Sequence, residues 1–272
     1  SDVLGLESST PDLSKWESFV ERLINPEHKV RIAVVGKYIE LQDAYKSIYE
    51  SLTISGAEHN TEVDLIKIDA EDLEKEAAEK VIGKVDGILV PGGFGDRGIE
   101  GKIKAAQYAR ENKIPYFGIC LGMQIATIEF ARNVCGLTEA NSTEFDKEAV
   151  HPVISLQEEQ QGITDMGASM RLGSCESTVY PNTKSFEIYG NTETIHERHR
   201  HRYEFNPAYR EQLEKAGLII ASVSKDEGLV EIIEVPDHPF FVAAQFHPEF
   251  KSKPNAPHPI FSSFVKASLE NA

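Results

Sequence analysis

Residues 86 to 134 read DGILVPGGFGDRGIEGKIKAAQYARENKIPYFGICLGMQIATIEFARNV. Two apolar runs, Asp86 to Val90 and Pro115 to Ile119, each lead into a turn and then into a longer stretch with helical spacing, Gly101 to Asn112 and Leu121 to Val134. Such repetition predicts strands lying parallel in one sheet, because a parallel neighbour is reached only through a crossover, usually a helix. The alternation extends toward the N-terminus as strand Val30 to Val35, helix Gln42 to Gly56, strand Val63 to Ile68 and helix Ala70 to Lys80. Near-continuous Val, Ile and Leu in these strands demand cover on both faces. The expected fold class is α/β, a central mostly parallel sheet with helices on both faces. Beyond residue 150 the pattern loosens into shorter strands, Leu229 to Val235 and Phe240 to Gln245, which read as an antiparallel extension. Pro259 to Leu269 reads as a closing helix.

The 272 residues, 40% hydrophobic and 26% charged, suffice for one large domain or one domain with a tail. Residues 1–29 form a polar lead-in with one clear element, Ser14 to Leu23, in which Trp16, Phe19, Val20 and Leu23 share a helical face. This is the pattern of an interdomain linker and docking helix, with the domain proper over 30–272. Forty-four acidic residues against 28 basic give a net charge of −16, which repels phosphate backbones and anionic membranes. Nucleic acid is not an expected partner. No apolar run approaches the roughly 20 residues of a membrane-spanning helix, and the N-terminus lacks the features of a signal peptide. Three cysteines, Cys120, Cys135 and Cys175, form no even framework and no C-x-x-C pair, which suits a reducing, cytoplasmic setting. Cys135 falls near a helix end and Cys175 reads as part of a polar loop.

Cys120 differs from the other two by its context. Gly118-Ile119-Cys120-Leu121-Gly122 lies between a strand and a helix and is the cysteine version of the G-x-S-x-G elbow. A nucleophile on so sharp a turn adopts strained backbone angles, so the residues two before and two after must be small. The helix that begins there aims its N-terminal dipole and free N–H groups at the sulfur, favouring negative charge on it, and the Leu121 N–H is placed to help hold an oxyanion. A buried core thiol is the plainer alternative, and the elbow argues against it.

A thiolate that attacks an amide needs a group to protonate the leaving amine, and imidazole suits both directions of transfer. His247 is the candidate, in Gln245-Phe246-His247-Pro248-Glu249-Phe250 directly after a predicted strand. Glu249 can accept from the imidazole N–H and fix its tautomer. Alone, H-P-E is a weak signal; with the elbow it completes a Cys-His-Glu set. The strand ending at Val90 runs into Pro91-Gly92-Gly93-Phe94-Gly95-Asp96-Arg97-Gly98, whose glycines leave backbone amides unobstructed, so Gly93 can meet an oxyanion opposite Leu121. The order of glycines does not fit a dinucleotide loop. His199 and His201 would share a strand face, but no cysteine or third ligand accompanies them, and no metal is expected.

Together these segments resemble the class I glutamine amidotransferases, and among them the glutaminase domains of CTP synthase. The resemblance is carried by Pro91-Gly92-Gly93-Phe94-Gly95 with Arg97-Gly98-x-Glu100-Gly101-Lys102, Gly118 to Gln124, Asn141-Ser142-Thr143-Glu144-Phe145, Met170-Arg171-Leu172-Gly173, Glu197-Arg198-His199-Arg200-His201-Arg202-Tyr203-Glu204, and His247-Pro248-Glu249-Phe250. It implies that Cys120, His247 and Glu249 form a triad and that Gly93 and Leu121 bind the oxyanion. It further implies that Gly93, Phe94, Leu121, Gly122, Met123 and Gln124 line a glutamine pocket, and that Glu144 and Arg202 recognise the substrate. A free amino acid carries one carboxylate and one ammonium, to which one Arg and one Glu are the economical complement.

The expected activity is hydrolysis of L-glutamine to glutamate and ammonia, with no cofactor in this chain. The resemblance also implies a partner, the synthase (amidoligase) domain of the same protein. It would use ATP and Mg to aminate UTP to CTP, with GTP as an allosteric activator, in a homo-oligomeric full-length enzyme. No G-x-x-x-x-G-K-[S/T] phosphate loop occurs here. A stand-alone γ-glutamyl hydrolase or peptidase of the same fold is one rival; a non-catalytic regulatory module is another, opposed by the intact Cys120, His247 and Glu249.

Overall fold

The computed structural model describes residues 11–39, 41–156 and 170–272. Nine strands form the main sheet. In chain order its first half comprises β1 (His28–Gly36), β2 (Thr61–Asp69), β3 (Gly87–Val90) and β4 (Tyr116–Ile119). A small three-stranded sheet is built from β5 (Ala140–Ser142), β6 (His151–Ser155) and β9 (Glu204–Phe205). The rest of the main sheet is β7 (Arg171–Val179), β8 (Thr194–His201), β10 (Ile219–Ser224), β11 (Val230–Glu234) and β12 (Phe241–Ala244). The order across it is β2-β1-β3-β4-β12-β11-β10-β7-β8.

The five strands from β2 to β12 run parallel, and the pairings from β12 outward through β11, β10, β7 and β8 are antiparallel. The antiparallel extension therefore begins at β11. Residues 240 to 245 do not belong to it alone: β12 lies beside β4 in parallel register, with Ala243 opposite Gly118. Periodicity gives a strand's existence but not its neighbours, and this insertion sets the segment after β12 beside the turn at Cys120.

The helices are α1 (Ser14–Ile24), α2 (Lys46–Glu58), α3 (Ala70–Lys75), α4 (Ala78–Ile82), α5 (Ile99–Glu111), α6 (Leu121–Asn133), α7 (Lys184–Ile188), α8 (Arg210–Lys215) and α9 (Pro259–Asn271). Alternate strand residues separate two cores. Ala33, Val35, Ile88, Val90 and Ala243 pack with Ile103 of α5 and Ile125 of α6. Val34, Leu89, Phe117, Ile119 and Val242 pack with Leu52 of α2 and Phe261 and Phe264 of α9. Phe117 meets Phe261 edge-on at 5.1 Å between centroids, and full burial of each such ring contributes about 1.5–3 kcal/mol.

One expectation about the helices changes. The helix predicted over 70–80 breaks at Glu76 and Ala77, which are extended, leaving α3 and α4. Leu73 and Ile82, both buried, stand nine residues apart. That is about two and a half helical turns, so an unbroken helix would aim them in opposite directions. Breaking it lets both face the core. In α1, Phe19 alone is buried, against Ile54 and Ala57 of α2, while Trp16, Val20 and Leu23 remain exposed. Among the described residues no helix is long and apolar enough to cross a membrane.

Candidate active site

Cys120 caps α6 with φ 52° and ψ −102°, a region a side-chain-bearing residue rarely occupies. The flanking glycines show why the turn is feasible. A Cβ on Gly118 would lie 2.6 Å from the Gly122 carbonyl oxygen, and one on Gly122 would lie 2.1 Å from the Val90 oxygen. The Cys120 N–H donates to Ala244 O at 2.7 Å, which fastens the elbow to β12.

His247 follows β12, and its backbone N–H donates to the Arg198 carbonyl of β8 at 2.8 Å. One turn of 3-10 helix, Pro248–Phe250, folds Glu249 back so that its Oε1 lies 2.8 Å from His247 Nδ1. The other ring nitrogen, Nε2, is buried, with no oxygen or nitrogen partner among the described residues. A Cβ on Gly92 would stand 2.9 Å from His247 Cε1 and 3.5 Å from Cys120 Cβ, so Gly92 keeps the space between thiol and imidazole open. Burial alone would lower the His247 pKa. The Cys120 sulfur and then the Glu249 carboxylate outweigh it and raise the pKa to about 10, so the ring holds its proton at neutral pH.

The 91–98 loop is held from two sides. Glu144 Oε1 accepts from Gly95 N–H at 2.9 Å, and Lys37 Nζ donates to Phe94 O at 2.8 Å. A Cβ on Gly93 would be 3.4 Å from Leu121 Cδ2, so Gly93 lies directly against the first residue of α6. The Leu121 amide belongs to the first turn, where helix N–H groups lack intrahelical acceptors. Burial pushes the Glu144 carboxyl up, opposed by the Gly95 N–H and the nearby Arg202 charge.

Two cavities meet at Cys120. One, of about 520 Å³, gathers Gly93, Phe94, Gln124, Glu144 and Arg202. The other, of about 320 Å³, takes in His247, Glu249, Tyr38, Tyr45 and Phe250. Residues from six separate parts of the chain thus line cavities that share Cys120. Leu121, Gly122 and Met123 line neither cavity: the first and third are buried in the core against the sheet, and Gly122 is pressed on β3. Helical periodicity turns them inward, and of that segment Gln124 alone reaches the larger cavity.

The glutamine amidotransferase class-I family model matches residues 40–267. The chain belongs to that family. A solved Trypanosoma brucei CTPS glutaminase domain with bound acivicin is 44% identical, superposes with a TM-score of 0.83, and covers 89% of this chain and 95% of that one. This amidotransferase is therefore, more narrowly, a glutaminase domain of the CTP synthase kind. The CTP synthase of Carboxydothermus hydrogenoformans is 58% identical over 267 residues, 98% of this chain and 50% of that protein. That of Methanococcus maripaludis is 52% identical over 276 residues, 99% of this chain and 51% of that protein. The chain spans about half the length of the curated relatives it matches. A Thermotoga maritima glutamine amidotransferase, 12% identical with a TM-score of 0.51 over 89% of this chain and 96% of that one, shares the fold.

Several residues of this amidotransferase site escape a reading by hydropathy. Arg200 lines both cavities and sits 5.9 Å over the Phe94 ring; its alternation with buried His199 and His201 is the signal that could have placed it there. Cys175 lies in β7, not in a loop. Behind the site runs a buried polar seam. As strand alternation predicts, His199 and His201 share a face, with Nδ1 and Nε2 3.0 Å apart. Arg171 reaches Glu231 at 2.6 Å and Glu204 at 3.5 Å. Burial, reinforced by the Arg171 charge, lowers His199 to about 2 and His201 to about 3. Burial also raises Glu231 to about 7 against the pull of Arg171. Among the described residues no group of three or more His, Cys, Asp or Glu side chains could hold a metal ion.

Proposed function

We propose that this chain hydrolyses L-glutamine to glutamate and ammonia, with Cys120 as nucleophile, His247 as acid and base, and Glu249 as its orienter. One observation carries this: His247, fixed by Glu249 at 2.8 Å through Nδ1, is raised to about 10 chiefly through the Cys120 sulfur. The Cys120 thiolate attacks the side-chain amide carbon, forming the S–C bond, and the oxyanion takes the Gly93 and Leu121 N–H groups. His247 passes its proton to the amide nitrogen, the C–N bond breaks and ammonia leaves. Water then attacks the thioester, losing a proton to the now neutral imidazole; the sulfur departs as the thiolate, which restores the starting pair.

Glu144 and Arg202 recognise the ammonium and carboxylate of free glutamine, and Phe94 and Gln124 complete the pocket. Acivicin, bound in the Trypanosoma domain, is expected to compete there. In the longer protein the ammonia goes to a synthase domain that aminates UTP to CTP with ATP and Mg, under GTP activation, in a cytoplasmic homo-oligomer. Residues 1–29 are the linker and docking helix to that domain. Ammonia release from glutamine, with Cys120→Ala as control, is the test; hydrolysis surviving in that variant at the wild-type rate overturns the proposal.

A further inference from the structure

Gln245 is fully buried, one residue beyond β12. Its backbone N–H still donates to Glu231 O at 2.9 Å, so the ladder fixes where its side chain points. By alternation it shares the face of Phe241 and Ala243, which is covered by α6, the helix that carries Cys120 at its N-cap and Gln124 in its first turn. The Gln245 side-chain amide lies 3.7 Å from Cys120 Sγ.

The two ends of a carboxamide are nearly equal in size, so neighbours must decide which one faces the sulfur. The Tyr203 carbonyl can only accept, so the end of Gln124 that lies 3.1 Å from it is the NH2. That same NH2 is 3.3 Å from the Gln245 amide, and the atom it meets there is therefore the oxygen. The Gln245 NH2 is left facing Cys120. Reversing any member would set donor against donor or acceptor against acceptor in a buried site, each a full desolvation loss. The three bonds admit one consistent assignment: Gln124 donates to both the Tyr203 carbonyl and the Gln245 oxygen, and Gln245 donates to the nucleophile.

We propose that Gln245 is a further catalytic residue: its amide donates to the Cys120 sulfur, stabilising the thiolate before attack and again as the glutamyl group departs. Through Gln124 the same chain ties the nucleophile to the Tyr203 carbonyl, next to Arg202 in the substrate cavity. This rests on Cys120 being the nucleophile. A donor to a charged, buried acceptor is stronger than a neutral pair, and at this long contact to sulfur an effect of about tenfold is expected.

The test is the alkylation rate of Cys120 by iodoacetamide, followed by peptide mass spectrometry with Cys135 and Cys175 as internal references. Wild type is compared with Gln245→Met, which fills the space without a donor, and Gln245→Leu, which likewise removes the donor and adds no charge beside the thiolate. Both variants should alkylate at Cys120 about tenfold more slowly at neutral pH, recover as pH rises, and lose kcat about tenfold with a smaller change in KM. Alkylation of both variants within about twofold of wild type across the pH range overturns the inference. If the Met variant fails to fold by near-ultraviolet circular dichroism, the Leu variant decides. The two readings fail separately: wild type that hydrolyses no glutamine removes the proposed function, whereas active wild type with unimpaired Gln245 variants removes only this role.

Discussion

At the scale of single residues, the strained backbone of Cys120 stands beside an imidazole whose pKa is raised. The positive φ of Cys120 costs about 1–3 kcal/mol, and an alanine there keeps that strain while a glycine releases it. Both Cys120→Ala and Cys120→Gly should abolish turnover, yet the glycine variant should be more stable than the alanine variant by about 1 kcal/mol in urea unfolding. His247 offers a second measurement. Its folded pKa of about 10 stands above the ordinary value, so its contribution to stability is complete below about 6.5 and disappears as pH rises through 10. The sulfur is the first of the groups that raise it, ahead of Glu249. In Cys120→Ala the ring should titrate well below 10 by NMR; an unchanged titration would show that the sulfur does not hold the proton.

At the scale of elements, the close approach of α6 to β3 sets the height of Cys120 above the sheet. Gly122 permits it: a Cβ there would meet the Val90 backbone oxygen at 2.1 Å, and backbone cannot swing away as a side-chain tip can. Gly122→Ala should therefore destabilise the fold by about 3 kcal/mol and lower kcat as Cys120 is displaced. A loss under about 1 kcal/mol by urea titration would mean that α6 slides freely on β3. Most elements were legible in the sequence because strand and helix periodicities are local. The break between α3 and α4 was not, since Ala70 to Lys80 has helical composition throughout and only the positions of Leu73 and Ile82 in the core divide it. Nor was β8 visible by hydropathy: its inward residues are Ile195, Glu197, His199 and His201, three of them polar, and hydropathy counts a buried polar side chain as a surface one.

At the scale of the whole molecule, the polar seam joins β7, β8, β9 and β11 across the antiparallel half of the main sheet and into the small sheet. Its groups oppose one another in pH dependence. His199 and His201 have lowered pKa values, so they add stability as pH rises from about 3 to about 6.5. Glu231 is raised, so stability falls as pH rises from about 4.5 through 7. Arg171→Met removes the cation that offsets the buried carboxylates, a loss of about 3–5 kcal/mol for a broken buried pair. The loss should be larger at pH 8 than at pH 6, where Glu231 can take up a proton; equal losses in urea unfolding would show that the seam is not electrostatically coupled. The sequence by itself determined the α/β class, the elbow at Cys120, the glycine loop and the two-residue spacing of His247 and Glu249, because each follows from periodicity or backbone sterics among near neighbours. Only the tertiary structure decided that β12 lies beside β4, which brings His247 to a sulfur 127 positions earlier in the chain. It alone decided, too, that Gln124 donates to both Tyr203 and Gln245 and so turns the Gln245 NH2 toward that sulfur. Burial and partners, which fix the meaning of a polar side chain, come from parts of the chain that local pattern does not connect.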